Sequence, residues 1–207
     1  MVEKNSCLRT EPDMPTSQKA NDMRPESIQT VLDTDRLHLR IAKPSDGRAI
    51  YDAVLESLEN LRAWPTSLPW ATYEPTVAAS EQFSRQSEAD CAAGIGFAFL
   101  AFDADDRLVG SVGLHSIRWD IPSMEIGFWM RSSVQRRGFA TEAVEAVLNF
   151  SFTQLGARRV QARTDEDNRA CRATCEAVGM TLEGTMSNER ITPSGIIKNG
   201  CLYALIS

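Results

Sequence analysis

Apolar and polar positions alternate between Thr34 and Ala42: Leu37, Leu39 and Ile41 fall on one side, His38 and Arg40 on the other. Period-two spacing predicts a first strand, with His38 outward. From Ala49 to Leu61 the spacing changes to that of a helix, through Ile50, Ala53, Val54, Ser57, Leu58 and Leu61. A second, more polar helix is expected over Thr76 to Cys91, with Val77, Ala78, Phe83 and Cys91 inward. Phe97 to Phe102 and Leu108 to Ser116 read as strands, and the aspartate-rich Asp103–Asp106 between them as a hairpin turn. Met124 to Arg131 reads as a further strand, and Gly138 to Leu155 as a helix carrying Ala140, Ala143, Val144, Val147, Leu148 and Phe150. A strand over Arg158 to Thr164, a short helix over Arg169 to Ala177 and strands over Met180 to Ile191 and Lys198 to Ile206 complete the chain. Asn168 is placed to cap the short helix, and Gly179 to end it in the left-handed region. This order predicts a mixed α/β sheet of about seven strands with helices on both faces.

Residues 1 to 33 are polar and are expected to form a disordered tail, leaving residues 34 to 207 as one domain. The net charge of −6 argues against nucleic acid as a direct ligand and favours a cationic substrate. The five cysteines are odd in number and scattered, and the histidines lie far apart in sequence, so neither a disulfide framework nor a metal site is expected. The start of the chain has no apolar run, which predicts neither a leader peptide nor a membrane anchor; a reduced cytoplasmic protein follows. His115 ends a strand, where it either faces a cleft or is an ordinary strand-end histidine.

The most informative stretch joins the central strand to the longest apolar helix. It reads Gln135-Arg136-Arg137-Gly138-Phe139-Ala140, followed by Thr141. The first N–H groups of a helix have no partner inside it, and the helix dipole adds positive character there. Gly138 and Ala140 leave room for a phosphate, and Arg136 and Arg137 add charge. No Gly-Lys-Ser/Thr is present, and the first two glycines of a dinucleotide fingerprint are missing. Upstream, Trp64 and Trp70 sit in a proline-broken segment. That segment either covers the core or forms one wall of a substrate cleft.

The pattern Q/R-x-x-G-x-G/A at Gln135–Ala140 resembles the acyl-CoA diphosphate loop of the GNAT superfamily of N-acetyltransferases. The flanking segments agree: Glu125-Ile-Gly-Phe-Trp129 before the loop, and Asn168-x-x-Cys171 running on to Gly179-Met180 after it. The resemblance spans residues 34 to 206. It is nearest to the Rim-type branch, which acetylates alanine or serine N-termini of ribosomal proteins. It implies a mostly antiparallel sheet and acetyl transfer from acetyl-CoA to a primary amine, either a protein N-terminus or a small amine. It implies that Phe128, Trp129 and Met130 line the coenzyme arm through their backbone, on a strand splayed from its neighbour at a bulge. It places Gln135 to Thr141 and Asn168 on the coenzyme, and Trp64 and Trp70 on the acceptor. Glu125, with Gly127 leaving space beside it, becomes either the base that deprotonates the amine or a group that anchors backbone and attracts the ammonium. Cys171 stands where the branch has a serine, as acid for the departing thiolate or as a filler of the first helical turn. The oligomeric state stays open, a homodimer included. The competing reading is a non-catalytic acyl-CoA-sensing module of the same fold.

Overall fold

The computed structural model describes residues 28–207. Of the disordered tail expected over residues 1 to 33, residues 1 to 27 lie outside the described residues. Its boundary moves, because Val31–Asp33 already form a strand, β1, paired antiparallel with β2 (His38–Ile41). Helix α1 (Gly47–Arg62) and helix α2 (Val77–Ala93) follow, with a 3-10 turn at Pro69–Thr72 between them. Next come β3 (Phe97–Phe102), β4 (Leu108–Arg118) and β5 (Ser123–Met130). Helix α3 (Phe139–Thr153) leads to β6 (Arg159–Asp165), and α4 (Arg169–Ala177) to the hairpin β7 (Thr181–Ile191) and β8 (Ile197–Ile206).

Among the described residues the strands form one sheet in the order β1-β2-β3-β4-β5-β6-β8-β7. Its pairs are antiparallel except β5–β6, which are parallel neighbours joined across α3. Parallel neighbours need such a crossover, whereas the antiparallel pairs β1–β2, β3–β4, β4–β5 and β7–β8 close through short turns. Leu39, Phe99, Val112 and Ile126 pack under α3 through Val144, Val147 and Phe150. On the opposite face Leu100, Phe102 and Leu108 pack under α1 through Ile50, Ala53 and Val54.

Parting of β5 from β6 decides where a ligand can enter. The two strands pair only at Ser123–Glu125 with Arg159–Gln161. Beyond Glu125, β5 stays in register with β4 from Glu125↔His115 to Met130↔Gly110, and its other edge is left open. The splay therefore matches the expectation, but the bulge does not. The ladder irregularity lies on the β4 side, between His115 and Arg118.

Helix α2 corrects another expectation. Val77 and Phe83 point outward, at 38% and 44% exposure, and the buried face is Ser80, Ser84, Ser87 and Cys91. The reason is close approach to α1. A Cβ on Gly47 would stand 2.7 Å from the Glu81 backbone nitrogen. Only small side chains fit such a seam, and serines are tolerated because their hydroxyls bond back one turn. Ser84 donates to the Ser80 carbonyl at 3.0 Å and Ser87 to the Phe83 carbonyl at 2.8 Å.

Gly47→Ala tests this seam. Helix propensity alone favours alanine by about 1 kcal/mol, but the clash with backbone outweighs it, and a net loss of about 2 kcal/mol is expected in urea unfolding. Gly184→Ala, where an added Cβ meets nothing within 4 Å, should shift stability by no more than about 0.5 kcal/mol.

Candidate active site

The loop before α3 is built from two left-handed residues. Arg136 has φ 61° and Gly138 φ 81°. Left-handed residues within a turn swing successive N–H groups toward one concave side, which suits an anion. Gly138 caps α3 without a side chain, so the first helical N–H groups stay available to a ligand. Phe139 is buried, so its side chain belongs to the core and its backbone alone faces the loop.

A left-handed conformation costs an arginine about 1 kcal/mol, and long-range contacts sustain it. Arg36, in the turn between β1 and β2, donates through Nη1 to the Arg137 carbonyl at 2.9 Å. Its Nε donates to Glu142 Oε2 at 2.6 Å, and its backbone N–H to Oε1 at 2.9 Å. The Thr34 hydroxyl adds a bond to Oε1 at 2.6 Å. The Arg36 guanidinium lies over the Phe139 ring at 4.8 Å, with Arg137 over the same ring at 5.5 Å. A Cβ on Gly138 would stand 3.2 Å from Arg36 Nη2. Arg36 thus joins Arg136 and Arg137 as a third cation at the loop. The sequence reading missed Arg36 and Glu142, which lie 106 residues apart; no local pattern links them.

From Ile126 to Met130 the free edge of β5 presents backbone N–H and C=O groups to the gap opened by β6. An extended chain of amides can add there as a strand would. The side chains of this strand turn elsewhere: Phe128 and Met130 into the α3 core, Trp129 toward α1. Residues 128 to 130 therefore offer only backbone to the gap.

On the α1 side of the sheet Glu125, Gly127 and Trp129 share a face. Gln161 Nε2 donates to Glu125 Oε2 at 3.2 Å and orients the carboxylate. His115 stands opposite Glu125 in the β4–β5 register. Its Nε2 would lie 3.5 Å from a Cβ on Gly127. The space expected beside Gly127 is therefore bordered by an exposed imidazole, which brings a second titratable group to the same face. Its Nδ1 shares a hydrogen bond with Ser116 Oγ at 3.1 Å.

At the other side of the gap Asn168 caps α4, accepting from the Cys171 N–H at 3.1 Å. Its backbone N–H donates to the Asp165 carbonyl at 3.0 Å and its carbonyl accepts from the Arg172 N–H at 3.1 Å, so the side-chain amide Nδ2 is the group of Asn168 not used by the cap. Cys171 is half-buried in the first helical turn. The Cys175 thiol one turn below holds its pKa under the ordinary thiol range; burial opposes this, and the Thr164 hydroxyl and the Arg190 charge reinforce it. Cys175 is pushed up in turn by Cys171 and by burial. Of the two wall tryptophans, Trp70 reaches across to Trp129 with ring centroids 6.1 Å apart, and Trp64 is half-buried within the loop.

The Arg36–Glu142 pair carries a pH dependence. Burial alone would raise the Glu142 pKa, but the bonds from Thr34 and Arg36 outweigh it and hold it below the usual carboxylate value. A lowered folded-state pKa stabilises the protein above the unfolded value of about 4.3, and that stability is lost as pH falls through the folded value. Melting temperature followed from pH 7 to 3 should therefore fall more steeply for the native chain than for Glu142→Gln below about pH 4.

The chain is similar to known proteins. Residues 36–181 match the sequence model of the Acetyltransferase (GNAT) domain. The Bacillus subtilis (strain 168) protein YoaA, an uncharacterized N-acetyltransferase, is 29% identical over 163 residues, covering 75% of this chain and 85% of YoaA. The fold matches RimL, a ribosomal L7/L12 alpha-N-protein acetyltransferase solved with coenzyme A, at TM-score 0.78 and 22% identity, covering 85% of this chain and 97% of RimL. It matches Mycobacterium smegmatis RimJ, solved with CoA-disulfide, at TM-score 0.78 and 22% identity, covering 89% and 90%. With its left-handed loop before α3 and its parted central strands, the chain belongs to the GNAT acetyltransferase family.

Proposed function

We propose that this protein transfers an acetyl group from acetyl-CoA to the primary amine at a protein N-terminus, by direct attack of the amine. The observation that carries the reading is one continuous path. It runs from the capless start of α3, along the open edge of β5, to Glu125 beside the gap. The residues fit the coenzyme: the Gln135–Thr141 loop and Arg36 suit the diphosphate, and the backbone of 126 to 130 suits the amide arm. Acetyl-CoA supplies the acetyl thioester. The likeness to RimL, a ribosomal L7/L12 alpha-N-protein acetyltransferase, supports a protein N-terminus as acceptor, and the acidic balance of the chain suits a cationic amine.

An alkyl amine is mostly protonated at neutral pH, since its reference pKa is about 10.4 for lysine and about 8 for a chain terminus. Glu125 takes that proton, directly or through one water, and Gln161 fixes the carboxylate for the task. Its negative charge also attracts the ammonium before transfer. Cys171, with its lowered pKa, gives a proton to the departing sulfur from the α4 N-terminus. Trp70, packed on Trp129, closes the acceptor side.

Release of free thiol from acetyl-CoA in the presence of alanine- and serine-initiated tetrapeptides tests the reading. Glu125→Gln should lower the rate at pH 7 by about 100-fold and recover part of it at higher pH, where free amine no longer needs a base. Gly138→Glu should abolish acetyl-CoA binding in calorimetry, because it adds a carboxylate and strains a left-handed position. Full activity of Glu125→Gln at pH 7 removes the base assignment, and intact binding in Gly138→Glu removes the loop assignment.

A further inference from the structure

A buried ion pair ties the ends of β6 and β7 to the loop that carries Trp64 and Trp70. Asp165, the last residue of β6, has a side chain only 1% exposed, and Arg190 near the end of β7 only 13%. Arg190 Nη1 stands 3.2 Å from Asp165 Oδ1. Taking such a pair out of water is costly unless further hydrogen bonds complete its shell. Two of the completing groups come from the loop between α1 and α2. The Thr66 hydroxyl donates to Asp165 Oδ1, across 99 residues of sequence. Ser67 Oγ accepts from Arg190 Nη1 at 2.9 Å, across 123 residues. Glu189 Oε2 accepts from Arg190 Nε at 3.2 Å and completes the cation.

Asp165 lies on the acceptor side of the sheet. Gln161 is opposite Glu125 in the β5–β6 register, and alternation along β6 puts Arg163 and Asp165 on that same face. The loop held by Asp165 and Arg190 continues to Trp70, which rests on Trp129 of β5. It thus bridges the gap between the two parted strands, with one end on β6 and β7 and the other on β5. The coenzyme loop is held by a separate set of groups, Arg36, Thr34 and Glu142, beside α3.

We infer that Asp165 and Arg190 form a latch that holds the Trp64–Trp70 loop as a roof over the acceptor and sets the width of the opening. They are positioning residues, acting through Thr66 and Ser67, and the assignment of an acceptor to this face rests on the function proposed above. The latch acts on the acceptor and leaves the coenzyme untouched.

The double variant Thr66→Val, Ser67→Ala removes both loop hydroxyls and keeps the charge pair, whose remaining bonds are Arg190 to Asp165 and Glu189; an unchanged circular-dichroism spectrum confirms that the variant is folded. Hydrogen–deuterium exchange of residues 63 to 72 should accelerate about tenfold, while residues 135 to 141 exchange as before. KM for an alanine-initiated tetrapeptide should rise about tenfold, with KM for acetyl-CoA within about twofold. Thr66→Ser, which keeps the hydroxyl, should behave as the native chain. Unchanged exchange over 63 to 72, or a KM for acetyl-CoA that rises in step with the peptide's, overturns the latch. If the native protein turns over no peptide, the N-terminus reading fails, and the exchange comparison still decides the latch.

Discussion

The architecture depends on one constraint: helix α3 must begin with no side chain capping its first N–H groups. Two left-handed residues, Arg136 and Gly138, turn the chain sharply enough to do this. Glycine accepts that conformation freely and arginine does not. Contacts from a distant part of the chain sustain it, with Arg36 bonded to the loop carbonyl and to Glu142 one turn into the helix. The same guanidinium offsets the Glu142 carboxylate, which would otherwise repel an anion bound at the helix start.

The second constraint is that the central strands pair and then part. Three residue pairs tie β5 to β6 at one end, and past Glu125 the ladder stops. The side chains of Phe128, Trp129 and Met130 are consumed by the two cores, so the open edge is left as bare backbone. That division lets one strand serve packing and binding at once. The gap is then framed by polar groups from separate elements: Glu125 and His115 from the paired end, Cys171 and Asn168 from α4, and the roof held by Asp165 and Arg190.

Much of this was legible in the residue pattern. The strands and helices fall close to their expected positions, Asn168 caps α4, and Gly179 ends the segment with φ 82°. These features are local, set by period, caps and turns within a few residues. The readings that needed correction concern what lies opposite. Val77 and Phe83 suggested the buried face of α2, but α1 approaches too closely for large side chains and a serine face is buried. The space expected at Gly127 is bordered by His115, which strand register brings opposite Glu125. β1 was lost in a polar context because three residues carry too little period to read.

By itself the sequence determined the order of the elements after β1 and the family, and it singled out the loop Gln135–Thr141 and the carboxylate of Glu125 as candidates. Tertiary structure alone decided which charges meet. Arg36 with Glu142 and Asp165 with Arg190, Thr66 and Ser67 are separated by 25 to 123 residues. A hydrogen bond between such groups leaves no periodic trace in the chain, because its partners are chosen by the packing of helices and strands and not by spacing along the backbone.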